Sequence, residues 1–371
     1  MKIDAAVLVE SGRSRPYADS TPMVVRELDL DDPGPGEIGV RIEAAGVCHS
    51  DLSVVDGNRL RPLPMALGHE AAGIVESLGD GVDDVAIGDR VVMAFLPRCG
   101  DCAECATDGR LPCGPGSAAN NAGTLLEGDR RLHDPHDPES TVHHHLGVSG
   151  FATHAVVDRR SAVVVGSDVP AEIAAVLGCA VLTGGGAVIN AGKPEPGQSV
   201  MVVGLGGVGM AAVLTALSLD TGDVIAVDSL PEKLAAATAA GAAAVYSPAE
   251  VAEQGITAPI VIEAAGNARA FETAVAATAP GGITVTVGLP SPDARSSIAP
   301  LGLVAGARTI VGSYLGSAVP ARDIPVYEQL WREGRLPVEK LISSRIRLGD
   351  INSAMDALAD GTAIRQVILF D

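Results

Sequence analysis

Apolar residues follow two different rhythms along the chain. Up to about residue 95 they come as short Val- and Ile-rich runs, such as Ile38–Ile42 and Gly73–Val75, cut by turn clusters like Asp32-Pro33-Gly34-Pro35-Gly36. Short runs bounded by turn residues predict a β-rich lobe, and Gly88-Asp89-Arg90-Val91-Val92 continues it as a turn feeding a strand. Residues 115–150 are rich in Gly, Asp and His and predict loop. Within them His143-His144-His145 predicts a half-exposed strand bordering a pocket, because consecutive strand side chains alternate faces. The Ala/Val/Leu run Ala171–Leu182 predicts a helix.

From Ser199 the rhythm changes to strand-like runs alternating with Ala-rich helical stretches. Strands are predicted at Ser199–Val203, Val224–Val227, Ala244–Tyr246, Pro259–Ile262, Ile283–Val287 and Thr309–Gly312. Helices are predicted from Gly209 to about Leu219, at Glu232–Ala240 and at Ala268–Thr278. Strands alternating with helices describe a doubly wound parallel sheet, so the fold class is α/β with a second, β-rich domain. After Pro320 come a helix at Ile324–Glu333, a helix at Asp350–Asp360 and a strand at Val367–Leu369. This tail lacks strand–helix–strand logic and is expected to return to the first lobe.

Bulk composition narrows the function classes. A chain of 371 residues accommodates two domains with their own cores, and 47% hydrophobic content reads as globular. Aromatics are 2%, so the cores are aliphatic and no stacking platform for single-stranded nucleic acid exists. A formal charge of −20 with no basic run repels a phosphate backbone, which excludes nucleic-acid partners. The start, Met1-Lys2-Ile3-Asp4, does not read as a signal peptide, and Gly, Pro or charge interrupts each apolar run. The expectation is a soluble, cytoplasmic protein without a membrane partner.

Six cysteines in a chain of this length point to metal rather than to a disulfide scaffold. Cys99, Cys102, Cys105 and Cys113 have the spacing C-x2-C-x2-C-x7-C, which favours a closed tetrahedral zinc site, with an iron–sulfur cluster as the rival. Cys48 and His69 offer a soft sulfur and an imidazole nitrogen beside Asp51 and Glu70, two of the three ligands that catalytic zinc requires. Cys179, alone in an apolar helix, reads by itself as a small core residue. Gly204-Leu205-Gly206-Gly207-Val208-Gly209 lies between a strand and a helix, and Asp228 ends the next strand 24 positions after Gly204. That is the dinucleotide-binding pattern in its required context, and the acidic residue predicts NAD over NADP.

These features in this order resemble the zinc-dependent medium-chain alcohol dehydrogenase family over essentially the whole chain. They are Gly46-Val47-Cys48-His49-Ser50-Asp51, Gly68-His69-Glu70, the four-cysteine lobe, His143-His144, Cys179, the Gly loop and Ile364-Arg365. Loop lengths look most like the branch of liver-type enzymes and glutathione-dependent formaldehyde dehydrogenases. The resemblance implies a GroES-like catalytic domain over residues 1–180 and 312–371, with a structural-zinc lobe at about 96–114, and a Rossmann NAD-binding domain over 181–311. It implies that Cys48, His69 and Cys179 hold a catalytic zinc, with Glu70 a carboxylate able to approach the metal and Asp51 orienting the histidine. Ser50 would bond the substrate oxygen, and Phe95 and Leu146 would wall the pocket. Thr183 and Val208 would pack near the nicotinamide, Asp228 and Lys233 contact ribose, and His49 and Arg365 meet the pyrophosphate. Gly204, Gly206, Gly207, Gly209 and Val287 complete the cofactor set. Two zinc ions and NAD per chain, an alcohol or aldehyde substrate, and a homodimer or homotetramer follow from the same resemblance.

Two departures rank the activities. Ser53 stands five residues after Cys48, where many relatives carry a His or Tyr on the proton path. Arg59 and Ser117 stand where glutathione-dependent members place an acid and an arginine. Simple alcohol oxidation is therefore ranked above thiol-adduct formaldehyde oxidation, and both above a non-catalytic nucleotide-binding protein. Gly185, Gly186 and Ala118 hint at room for a bulky substrate.

Overall fold

Residue Glu37 opens the longest strand, Glu37–Val47, whose buried positions on both faces demand cover from two sides. In the computed structural model, which describes residues 1–370, this strand is central to the first of two units. That unit comprises Met1–Cys179, Pro320–Glu328 and the chain from Ile342 onward. Its main sheet runs in the order Ala162–Val165, Arg90–Met93, Ala71–Leu78, Glu37–Val47, Arg365–Leu369, Ile342–Ile346, and His154–Asp158 also pairs with Glu37–Val47. A closed barrel joins Lys2–Leu8, Met23–Leu30, Leu132–Asp134, Asp137–His144 and Met65–Ala66. The core is mostly aliphatic, with Ile38, Val40, Ile42, Val75, Met93 and Phe151 in one buried cluster.

The second unit, Ala180–Val319 with Gln329–Leu341, is a six-stranded sheet. Its order is Ala244–Tyr246, Val224–Val227, Val200–Val203, Ala258–Glu263, Thr278–Thr286, Thr309–Gly312, and every pairing is parallel. The order reverses between Val200–Val203 and Ala258–Glu263, and the carboxyl ends at such a switch point are where open α/β sheets bind ligands.

At the end of the chain, Gln366 to Leu369 pair antiparallel with Val47 to Ala44 of the first unit. Residues 312–319 and 329–341, expected with the β-rich domain, group with the parallel sheet. The stretch 115–150, expected as loop, carries the helix Gly114–Ala122 and the strands Leu132–Asp134 and Asp137–His144. That helix has little apolar patterning to announce it. It starts with Pro115 in its first turn and the Cys113 sulfur accepting from the Gly116 N–H, and it stops at Gly123, whose φ is +68°. The helix Pro248–Gln254 and the strand Ile342–Ile346 were also not anticipated. Apolar runs are not all short: the helical run Ala171–Gly192 is long and apolar enough to cross a bilayer, but 89% of its most apolar window is buried as core.

Candidate functional site

Cys48 ends the central strand and caps the helix His49–Val55. One oxygen of Asp51, in that helix's first turn, accepts the Cys48 main-chain N–H at 3.0 Å, so strand end and helix start are fixed together. His69 follows Gly68, whose φ is +92° and where a Cβ would lie 2.4 Å from the Phe151 nitrogen. Only glycine makes that turn, and it sends His69 inward. Cys179 lies in a π-helical segment, Leu177–Val181, continuing the helix Ala171–Val176. Gly178 presses that segment onto the Met93 carbonyl, where a Cβ would lie 2.5 Å away.

These three turns bring Cys48, His69 and Cys179 together, with donor atoms all within 4.8 Å of one another and every side chain buried. Cys179 Sγ is 3.4 Å from His69 Nε2. Two ligands of a tetrahedral zinc ion are separated by about 3.4–3.8 Å, given the usual Zn–S and Zn–N lengths. The donor set therefore fits such an ion. Its charges also call for one. Cys179, Arg365 and His69 pull Cys48 well below the usual thiol range against the penalty of burial, while the charge of Cys48, together with burial, pushes Cys179 up. One thiolate forms readily and resists the second until a cation joins them.

Asp51 is fully buried, and its second oxygen lies 2.9 Å from His69 Nδ1 and 3.2 Å from His145 Nδ1. Burial opposes its charge, but the two imidazoles hold it below the usual carboxylate range. With Nδ1 engaged by Asp51, Nε2 is the His69 nitrogen that faces the thiols. Against the penalty of burial, the neighbouring Asp51 and Cys48 favour the protonated ring until a cation binds. Phe95 meets the His69 ring edge-on, 5.4 Å between centroids. Leu146 is buried with φ of +52°. Ser50 is half-buried on the helix, and Ser53 donates its hydroxyl to the His49 carbonyl at 2.8 Å.

Glu70 lies over Gly46, where a Cβ would fall 2.1 Å from its Oε1. Burial pushes its carboxyl up to about 7, with Arg365 opposing. The Arg365 guanidinium, expected on a pyrophosphate, is buried here, 3.4 Å from Glu70 Oε2 and donating to the Val47 carbonyl at 3.0 Å. Neither Glu70 oxygen has a well-formed hydrogen bond among the described residues.

Cys99, Cys102, Cys105 and Cys113 form a second cluster. Their sulfurs are 3.9 Å apart for Cys99–Cys105 and for Cys102–Cys113, and 3.6 Å for Cys113–Cys99. Those are the edges of a tetrahedron around one ion, and a multi-iron cluster does not fit between them. Main-chain N–H groups of Cys99, Cys105 and Gly116 point at the sulfurs, each at 3.4 Å, as expected around thiolates.

In the second unit the Gly loop divides its work. Gly204 has φ of +92°, the left-handed turn that glycine allows. A Cβ on Gly209 would lie 1.7 Å from the Gly204 carbonyl, so the helix Gly207–Ser218 packs directly on the strand end. Around Gly206 nothing lies within 4 Å of that position, leaving an open approach to the main chain. Asp228 braces the loop, accepting Leu205 N–H at 2.7 Å and Leu230 N–H at 3.0 Å. Lys233 is half-buried on the following helix, Pro231–Ala240. Gly184, next to Thr183 in the chain, packs directly on the Val208 carbonyl. Gly186, expected to leave room for substrate, instead packs on Gly316, and Ala118 is exposed.

Two sequence-family models match the chain. One is the alcohol dehydrogenase GroES-like domain over residues 34–167, the other the zinc-binding dehydrogenase over 207–333. Geraniol dehydrogenase of Castellaniella defragrans is 36% identical over 94% of this chain and 95% of its own length. The chain belongs to the zinc-dependent medium-chain alcohol dehydrogenase family. Solved structures agree across the whole length of the enzyme. Benzyl alcohol dehydrogenase of Acinetobacter calcoaceticus superposes with a TM-score of 0.90 at 30% identity, covering 100% of both chains. An alcohol dehydrogenase zinc-binding domain protein of Burkholderia ambifaria gives 0.91 at 31%, covering 100% of this chain and 99% of its own.

Two residues of this alcohol dehydrogenase had no role in the sequence reading. His145 stood in the His143–His145 run, but its contact with Asp51 spans 94 positions. Glu263 is a buried carboxylate that accepts Ala265 and Gly266 N–H groups at 2.9 and 2.7 Å and the Thr286 hydroxyl at 2.6 Å. It stiffens the loop against which Gly204 packs, and the Val287 N–H bonds its carbonyl. A lone Glu ending an apolar strand was its only signal.

Proposed function

We propose that the protein is a reversible, zinc- and NAD-dependent alcohol dehydrogenase acting on apolar primary or secondary alcohols, including allylic and aromatic ones. The observation that carries this reading is the convergence of Cys48, His69 and Cys179, with donors within 4.8 Å, in a family whose chemistry is alcohol oxidation. The names of two relatives, geraniol and benzyl alcohol dehydrogenase, support the substrate class. So does the apolar surface of Phe95 and Leu146.

Cys48, His69 and Cys179 would hold the catalytic zinc, and the four-cysteine lobe a second ion. The zinc would supply Lewis acidity that lowers the pKa of an alcohol, and NAD would supply the hydride acceptor. The chain's own part is orientation, proton handling and exclusion of water. Ser50 Oγ would accept a hydrogen bond from the substrate hydroxyl and, on taking its proton, release its own. Ser53, turned back onto the His49 carbonyl, offers no onward relay, so a proton passed on by Ser50 would leave to solvent. Asp51 keeps His69 in one tautomer, and Phe95 and Leu146 keep the reacting carbon dry. Gly206 admits the pyrophosphate to the loop main chain, and Asp228 accepts from the ribose diol and repels a 2′-phosphate. The same reading takes the working form as a cytoplasmic homodimer or homotetramer.

The test is a screen of NAD reduction with primary, secondary and aromatic alcohols, run beside Cys48→Ala. The variant is expected to lose turnover while binding NAD as the wild type does. Turnover near wild type in Cys48→Ala would sink the metal-centred mechanism.

A further inference from the structure

We propose that His145 is a positioning residue for the catalytic metal ligands, fixing from its far side the carboxylate that orients His69. The proposal rests on the zinc reading above and extends it to a residue outside the ligand set.

Its first support is placement. His145 is 1% exposed, its Nδ1 is 3.2 Å from Asp51 Oδ1, and its ring stands edge-on to His69 at 5.5 Å between centroids. The same oxygen takes the His69 Nδ1 contact at 2.9 Å, while the other is committed to the Cys48 N–H at 3.0 Å. Asp51 thus has two hydrogen-bonding partners, the Cys48 N–H and His69 Nδ1, and no exposure to water. His145 Nδ1 adds a close polar contact at 3.2 Å that falls short of a well-formed hydrogen bond. A buried carboxylate is tolerated only when its lone pairs are met, and each partner also removes a way for it to turn. Without His145, Oδ1 would keep only the His69 contact, and carboxylate and imidazole could swing together. The ring of His69 is packed edge-on by Phe95 and by His145, so an apolar replacement preserves the packing and removes only the polar restraint.

The second support is independent and lies in the backbone. His145 is held by a turn just past the strand Asp137–His144. Its N–H donates to Ser149 Oγ at 3.0 Å, and its carbonyl accepts from Val148 and Ser149 N–H groups at 3.1 and 3.2 Å. Leu146 and Ser149 both have positive φ, 52° and 53°, although neither is glycine. Strained buried backbone persists where the surroundings over-determine it, and it clusters at functional sites. Here the strain delivers one imidazole to one carboxylate.

Asp51, His69 and His145 also lie close enough together to be considered as ligands in their own right. An ion there would have to break the Asp51–His69 contact, so positioning is the reading the 2.9 Å separation favours.

The experiment uses full-length, zinc-loaded protein and measures zinc stoichiometry and the rate of zinc release to dipicolinate. The four-cysteine site is the internal reference. His145→Phe is expected to release one of the two zinc ions about ten- to a hundredfold faster, the scale on which residues behind metal ligands act. The reference site should be unchanged, and His145→Asn, which restores a polar group facing Asp51, should release zinc nearer the wild-type rate. Should His145→Phe fail to fold, His145→Met is judged by the same criteria. Equal rates in wild type and apolar variant would overturn the proposal and leave the zinc reading standing. Acceleration of both sites together would also overturn it, since that is general loosening. A third zinc in the wild type, lost with His145, would replace positioning by ligation. A single zinc, confined to the four-cysteine site, would overturn this proposal and the catalytic-zinc reading together.

Discussion

His144, the immediate neighbour of the residue that contacts Asp51, accepts the Arg131 main-chain N–H at Nε2, 3.0 Å away. Burial, with Arg130 and Arg131 nearby, holds its pKa down at about 3 against an ordinary 6.5. The folded state therefore binds fewer protons than the unfolded state at any pH between those values. The stabilisation is whole above 6.5 and is lost as pH falls toward 3. Between pH 7 and pH 5 the loss should be about 2 kcal/mol. His144→Gln keeps an acceptor for Arg131 without a titrating group, so its stability should fall less over that interval by about this amount. Urea unfolding at the two pH values measures it, and parallel pH dependence in both proteins would refute the assignment. At this scale the sequence was only partly legible. Strand alternation correctly separates half-buried His143 from buried His144. It says nothing of His145, because the strand stops at His144 and the positive φ of Leu146 turns the chain.

At the scale of elements, the Gly loop and the strands around it were legible because their signals are local. A strand, four glycines, a helix and an acid at the next strand end lie within 30 residues of one another. The structure adds that Asp228 also carries the loop, through the Leu205 and Leu230 N–H groups. That changes how its proposed role in cofactor choice is tested. Asp228→Gly removes charge and brace together and should weaken both cofactors. Asp228→Asn removes the charge and keeps one acceptor, so it should relieve repulsion of a 2′-phosphate selectively. The NAD/NADP ratio of kcat/KM is expected to fall at least about tenfold, or about 1.4 kcal/mol. A ratio unchanged from wild type would remove Asp228 from the ribose. Other elements escaped notice for the opposite reason. Pro248–Gln254 has few apolar positions, although Ser247 and Glu250 form a capping box that announced it, with Ser247 N–H to Glu250 Oε2 at 2.7 Å. The helix Gly114–Ala122 is capped by Cys113, a residue the spacing had assigned wholly to metal.

For the whole molecule, the change of rhythm near Ser199 announced two architectures, but the meeting of distant segments did not follow from it. His69 and Cys179 touch across 110 positions, and no local pattern encodes that contact. One property of the whole was legible at once, the excess of 46 acidic over 26 basic side chains. Added salt acts on it in two opposed ways. Screening weakens exposed ion pairs such as Lys2–Glu27 and Arg41–Glu76, whose solvated charges contribute little to begin with. Screening also relieves self-repulsion among twenty uncompensated charges, which acts over the Debye length, about 30 Å at 0.01 M and 8 Å at 0.15 M. The second effect reaches across the molecule and the first does not, so repulsion should dominate. Raising sodium chloride from about 0.01 to 0.15 M should therefore raise Tm by several degrees, where about 1 kcal/mol corresponds to 2–4 °C in a domain of this size. Calorimetry at the two salt concentrations decides the matter. A Tm that falls with salt would mean that ion pairs, and not the net charge, govern the balance.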